Sequence, residues 1–206
     1  HQTAIFPVPL HQQVPEGYEF QCLIFRASAP PQPESEALAL EMDGGGDEAP
    51  SCPAPDELEA QGLAEVGGIR INISGCTNSC GQHHASDIGF FGAERRAHGQ
   101  SAPGYQMLLG GYVGQEQIHF GEKALRVPAK AAPEAVARVV RRFAAERSAA
   151  ETFQGWLARS GGAVAVADGL RDLDEIPMPD ASPEFFVDYD ETGPFSGEVG
   201  DSECAV

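Results

Sequence analysis

Two cysteines four positions apart, Cys76 and Cys80, lie in the run Ser74-Gly75-Cys76-Thr77-Asn78-Ser79-Cys80-Gly81-Gln82, directly after the β-branched stretch Ile69 to Ile73. A β-branched run stopping at Gly-Cys reads as a strand that delivers two thiolates into a tight loop. Thiolates are the ligands of iron–sulfur clusters, and small neighbours let backbone N–H groups approach the sulfurs and stabilise their charge. Two thiolates make half the ligand set of a four-iron cluster. His83 and His84 follow at once, so a Cys2His2 zinc site is a second reading, although both histidines fall within four residues of Cys80 and no separated second half-site exists. A dithiol redox pair is a third, with little support from a Cys-x3-Cys spacing that lacks a flanking basic residue.

The core Gly75-Cys76-Thr77-Asn78-Ser79-Cys80-Gly81-Gln82, continued by Asp87-Ile88-Gly89-Phe90-Phe91-Gly92, resembles the second cysteine motif of the sirohaem-dependent nitrite and sulfite reductases. The similarity extends through Tyr105-Gln106-Met107-Leu108-Leu109-Gly110-Gly111 and Glu151-Thr152-Phe153-Gln154-Gly155-Trp156, covering residues 55–161 well and 186–206 more loosely. The resemblance implies that Cys76 and Cys80 are two ligands of a [4Fe–4S] cluster. It further implies that Cys80 bridges to a sirohaem iron, with Asn78 and Gln82 beside the cofactor. The reaction it implies is the six-electron reduction of nitrite to ammonia or of sulfite to sulfide, driven by ferredoxin or a flavoprotein reductase. It places the other two ligands in a Cys-x5-Cys pair upstream, in a window that corresponds here to Leu38 to Gly46 and holds no cysteine. Cys52 has Leu58 six positions on, and Cys22 also lacks a partner, although either could substitute as a ligand. The family's substrate-binding cations come largely from its N-terminal half, whereas His1 to Gly68 contains Arg26 as its only arginine or lysine. The chain therefore resembles the C-terminal part of such an enzyme, with the missing N-terminal half as a possible partner. A cofactor-free remnant or interaction module is the alternative.

The net charge of −18 opposes binding to nucleic acid or to anionic membranes. No apolar run approaches a membrane span, and five cysteines, an odd count without a regular framework, read as reduced thiols in a cytoplasmic protein.

The elements that must position the loop can be read around it. From His1 to about Pro55 prolines and glycines interrupt any helix, leaving Tyr18 to Phe25 as one strand-like island. Asp56 to Val66 reads as a short helix capped by Asp56, with Leu58 and Leu63 inward, stopped by Gly67-Gly68 before the strand Ile69 to Ile73. Strands follow at Ile88 to Phe91 and Tyr105 to Leu109, separated by a polar loop whose Arg95 and Arg96 could neutralise sirohaem carboxylates, and then extended segments at Gln117 to Phe120 and Ala124 to Val127. Pro133 opens the clearest helix, with Val136, Val139, Val140 and Phe143 on one stripe. Its Arg138, Arg141, Arg142 and Arg147 form either a docking face for an acidic electron donor or a solvated face. A second helix, Glu151 to Arg159, sets Phe153, Trp156 and Leu157 against the first, and Ala163 to Ala167 reads as a strand.

The expected architecture is an α/β (α+β) domain over residues 55–161, a mixed sheet flanked by helices. An irregular arm precedes it at 1–54 and an acidic tail, lying along another surface, follows at 162–206.

Overall fold

The computed structural model describes residues 18–23 (backbone only), 58, 60–63, 66, 68–79, 81–114, 117–189 and 191–196. Cys52, Asp56, Cys80 and Cys204 lie outside the described residues.

A mixed sheet organises these residues. Its strands are β1 (Tyr18–Leu23), β2 (Ile69–Ser74), β3 (Ile88–Gly92), β6 (Gly104–Leu109) and β9 (Glu122–Pro128), hydrogen-bonded in that order. β1, β2 and β3 run parallel, with Phe20 opposite Ile71 and Ile73 opposite Phe90, while β6 and β9 run antiparallel to their neighbours. The strand-like island of the arm is thus the strand β1, beside the strand that leads to the cysteines. The segment expected as a polar loop is a hairpin, β4 (Arg95–Ala97) and β5 (Gln100–Ala102), turned at His98 and Gly99 with φ of 53° and 77°. Two consecutive left-handed residues are what a two-residue hairpin turn demands. A second hairpin, β7 (Tyr112–Val113) with β8 (Ile118–His119), follows β6.

Alternation along β2 divides the sheet into two faces. Ile69, Ile71 and Ile73 enter the apolar core with Ile88, Phe90, Met107, Leu109 and Val127, whereas Asn72 and Ser74 are buried polar residues on the other face. Helix α1 (Ala132–Glu146), opened by Pro133, lays Val136, Val139, Val140 and Phe143 on the apolar side. Thr152 caps α2 (Phe153–Arg159) by accepting from the Gly155 N–H at 3.2 Å. Phe143, Phe153 and Trp156 meet with centroids 5.2–5.5 Å apart, edge or tilted, the range in which aromatic pairs add to area burial. Leu58 and Leu63 are buried as the sequence predicts, and Leu58 and Ala60 are helical.

Ala163 to Ala167 is a helix, not a strand. Gly161 and Gly162, with φ of 94° and 86°, end α2 and restart the chain as α3 (Gly162–Ala167), and Ala163, Val166 and Ala167 form the buried i, i+3, i+4 stripe of a helix packed on β9. Five apolar or small residues in a row carry no period of two or of 3.6, so neighbouring contacts decide their form. Beyond α3 the chain continues to pack: Leu170 joins the main core, and Ile176 and Phe186 form a second small core with Ala102.

Phe186→Ala should lower stability by about 3 kcal/mol in urea denaturation, whereas Val164→Ala, at a position 59% exposed, should stay within about 0.5 kcal/mol. Equal effects would mean that the segment after α3 does not pack as described.

Candidate functional site

Parallel neighbours cannot be joined by a tight turn, so the chain must travel back along the sheet between the end of β2 and the start of β3. Residues 75–87 make this return, and they contain the cysteine motif and both histidines. The return path crosses the polar face of the sheet and leaves no room beneath it. A Cβ on Gly89 would stand 1.9 Å from the His83 carbonyl oxygen, and one on Gly81 would stand 2.8 Å from the Ile73 carbonyl oxygen.

Ser74 is the post around which this crossover is wound. Its side chain is fully buried, its Oγ accepts from the Gly81 N–H at 3.2 Å, and the same oxygen lies 2.9 Å from His83 Nδ1. The residue after Cys80 is thereby tied to the residue two before Cys76. Asn72 Nδ2 donates to the Gln82 carbonyl at 3.4 Å, and Ser86 Oγ reaches the carbonyls of His83 (3.1 Å) and Ile88 (2.9 Å). Ser79 and Gln82, on either side of Cys80 and Gly81, hold left-handed φ of 57° and 53°, a conformation that non-glycine residues keep only when their surroundings impose it. The Gln82 N–H donates to the Ser79 carbonyl at 2.8 Å, and Ser79 Oγ bonds His84 Nδ1.

Cys76 is a half-buried free thiol, and Asn78 and Gln82 are exposed. The loop therefore brings Cys76, Asn78 and Gln82 onto one short, braced turn, with Cys80 outside the described residues. A thiol on a glycine-flanked turn suits a soft metal or cluster, and Cys76 with Cys80 would supply two of its ligands.

His83 is 4% exposed and its ring lies 5.0 Å from that of Phe91. Burial first, and the nearby His84 second, pull its pKa down from 6.5 to about 4, so it is neutral at pH 7. His84 stacks edge-on against Phe120 at 4.8 Å and accepts at its carbonyl from the Gly121 N–H. This joins the crossover to the β7–β8 hairpin, which exposes Tyr112, Val113, Ile118 and Phe120. Asp87 closes the other end, accepting from the Arg70 N–H at 2.7 Å and from Gln154 Nε2, which also reaches the Gly111 carbonyl. Desolvation raises the Asp87 pKa against the pull of these donors.

The arginines are engaged inside the fold. Arg95 Nη1 donates to the Arg126 carbonyl at 2.9 Å and pairs with Asp174 at 2.5 Å, while Arg96 bonds its neighbour Glu94. On α1, Arg138 bridges Glu134 and Asp172, Arg142 pairs with Glu146, and Arg147 lies over the Phe143 ring. Arg141 is exposed. Two arginines of the basic stripe, Arg138 and Arg142, are thus matched by acids of the same chain, while Arg141 and Arg147 have no ion pair among the described residues.

Sequence alone does not mark Ser74, Asn72, Asp87 and Gln154 as site residues. The signal for two of them was present, since polar residues at every second place of a β-branched run must share a face.

Residues 69–165 match the family model described as the nitrite and sulphite reductase 4Fe-4S domain. These residues belong to the nitrite and sulfite reductase family. An assimilatory ferredoxin-dependent nitrite reductase of Haloferax mediterranei is 35% identical over 134 residues, 63% of this chain and 23% of that protein. A ferredoxin–nitrite reductase of Synechococcus elongatus is 49% identical over 57 residues, 28% of this chain and 11% of its own length. A ferredoxin sulfite reductase of Mycobacterium tuberculosis is 39% identical over 95 residues, 45% of this chain and 17% of its own length. The solved structure of the Mycobacterium tuberculosis NirA protein aligns with 50% of this chain and 19% of its own, at 36% identity and a TM-score of 0.45. The chain spans about a quarter or less of the length of these curated relatives.

Ser74→Ala leaves the buried Gly81 N–H unpaired and should cost about 1–3 kcal/mol, with faster hydrogen exchange at Gly81; unchanged exchange there would remove Ser74 from its role as post. Because the folded-state pKa of His83 is depressed from 6.5 to about 4, the unfolded chain takes up this proton first as pH falls. Stability should therefore be held above pH 6.5 and lost progressively toward pH 4. Asp87 acts with the opposite sign, its raised pKa reducing stability as pH rises above 3.8. The informative quantity is the difference between the parent and His83→Gln, whose stability should fall less steeply between pH 6.5 and 4 in urea titrations of the metal-free protein.

Proposed function

We propose that this chain is the C-terminal part of a sirohaem- and [4Fe–4S]-dependent assimilatory nitrite or sulfite reductase, reducing nitrite to ammonia or sulfite to sulfide. The observation that carries the reading is the crossover itself. A Cys-x3-Cys loop is braced over the polar face of the sheet by Ser74, within a segment that matches the 4Fe-4S domain of these enzymes. Cys76 and Cys80 would hold two irons of the cluster, Cys80 would also face the sirohaem, and Asn78 and Gln82 would border the cofactors. When bound, these groups supply the electron path and the open iron position at which the anion is reduced. The other two thiolates and the substrate-binding cations come from protein outside residues 69–165. The names of the relatives point to ferredoxin as donor. A cytoplasmic enzyme fits reduced thiols and an oxygen-sensitive cluster.

The second reading, a cofactor-free remnant that keeps the fold, is favoured by one observation. The stretch Leu38 to Gly46, where the family's other cysteine pair would fall, contains none.

Anaerobic reconstitution with iron, sulfide and sirohaem separates the two. The enzyme reading expects bound iron with a sirohaem absorption band, lost in Cys76→Ser and in Cys80→Ser and retained in Cys204→Ser. A folded, colourless product would leave the remnant reading standing instead, and iron that survives loss of both loop cysteines would overturn their assignment as ligands.

A further inference from the structure

The register of the sheet carries its polar face beyond the crossover. Residues directly opposite one another on neighbouring strands share a face. One such rung runs through Ser74, Phe91, Gln106 and Arg126, and another through Asn72, Gly89, Leu108 and Lys123. Both begin beneath the cysteine motif, at the two residues that anchor it, and both end on an exposed cation of β9. Three strand spacings separate the ends of a rung, roughly 14 Å. Glu122, opposite Leu109, falls on the other face.

The β7–β8 hairpin lies between. The Gly121 N–H donates to the His84 carbonyl at 2.8 Å, and a Cβ on Gly121 would stand 3.1 Å from Leu108 Cβ, so the hairpin rejoins the sheet over the Leu108 rung. Of the six large apolar side chains exposed among the described residues, four are Tyr112, Val113, Ile118 and Phe120 of this hairpin. That concentration makes a patch, whereas apolar residues scattered singly are normal on any surface. Residues 110–121 hold one acidic side chain, Glu116, in a chain of net charge −18. Lys123 and Arg126 have no ion pair among the described residues, while Arg95, which touches the Arg126 carbonyl, is held by Asp174.

An apolar centre with cations at its margin is the pattern by which one protein surface steers and then seats another of opposite charge. Two cations on so acidic a chain are too few to hold a polyanion such as nucleic acid or a membrane surface.

We propose that Ile118, Phe120, Lys123 and Arg126 form the docking surface for a small acidic electron-carrier protein, the hairpin giving the apolar centre and β9 the steering margin. The inference rests on the cluster reading given above, which supplies the destination of the electron. Each encounter moves one electron, the carrier being oxidised and the cluster reduced, with no bond made or broken.

The probe is a plant-type [2Fe–2S] ferredoxin, titrated calorimetrically into the full chain, both cofactor-free and after anaerobic reconstitution with iron, sulfide and sirohaem. Lys123→Gln with Arg126→Gln should weaken binding about tenfold at low salt and flatten its salt dependence. Ile118→Ser with Phe120→Ser should weaken it at every salt concentration. Arg141→Gln with Arg147→Gln, on α1, should leave it unchanged. In the 15N-labelled parent, which needs no substitution, ferredoxin should shift amide signals of residues 112–126 and spare those of α1. Shifts confined to α1, or an affinity that survives both pairs of substitutions, overturn the proposal, as does a parent that binds no ferredoxin in either form. Self-association lost in Ile118→Ser with Phe120→Ser, without ferredoxin binding, assigns the patch to a second copy and overturns it equally. A chain that takes up iron and sirohaem yet fails these tests loses this inference alone. A colourless chain overturns the cluster reading and, with it, the electron-transfer role of this surface.

Discussion

The parallel pairing of β2 with β3 is the constraint from which the site follows. An antiparallel pair would let the cysteine motif be a turn at the end of the sheet, open on every side. A parallel pair obliges the chain to return along the strands, so the motif becomes a layer lying on the polar face. A layer needs anchors beneath it and clearance for its backbone. Ser74 and Asn72 provide anchors, and Gly89 provides clearance where the His83 carbonyl presses on β3. The opposite face is free to be wholly apolar, and the Phe143, Phe153 and Trp156 cluster fills it. One sheet thus separates the stabilising core from the layer that carries the cysteine motif.

The polar layer differs energetically from the core. Its buried groups stabilise the fold only while each has its partner, because an orphaned donor in such surroundings loses more than a typical hydrogen bond gains. Ser74 serves two partners with one hydroxyl, and Ser86 serves two carbonyls with one proton. Such sharing fixes a single arrangement of the loop. Left-handed Ser79 and Gln82 are held in the same way, each by bonds within a few residues. The cost of ordering the loop is therefore met on folding, which leaves less to be met when a ligand arrives.

Much of this was legible from the residues. The β-branched run before Gly75, the glycine-rich loop, the Pro133 start and the apolar stripe of α1 each have a local cause, and local causes can be read. The strand at Tyr18–Leu23 was legible by its alternation, although its parallel partner was not. Two kinds of feature escaped. Residues 163–167 lack any period, and only the two glycines before them and the surface of β9 make them helical. The segment with Arg95 reads as a polar loop because its turn comes from His98 and Gly99, and the destination of Arg95 lies 79 positions away at Asp174. Long-range ion pairs leave no trace in local spacing, so Arg138–Asp172 could not be read, whereas the i, i+4 pairs Arg138–Glu134 and Arg142–Glu146 are written in the spacing of α1 itself.

The internal pairing of those arginines bears on how an anionic chain could meet a reduced, acidic donor. Two acidic proteins repel one another unless unpaired cations face the encounter, and the effect falls off over roughly 10 Å at moderate salt. With Arg138 and Arg142 bound to acids of their own chain, the α1 stripe keeps Arg141 and Arg147 as its cations without an ion pair among the described residues. The β7–β8 hairpin, by contrast, exposes the apolar residues Tyr112, Val113, Ile118 and Phe120 beside His84. Apolar contact of that kind is insensitive to salt, whereas a steered encounter weakens as salt screens it. The exposed apolar residues of the hairpin thus lie beside the layer that the parallel pair builds, held to it through the His84 carbonyl and ring.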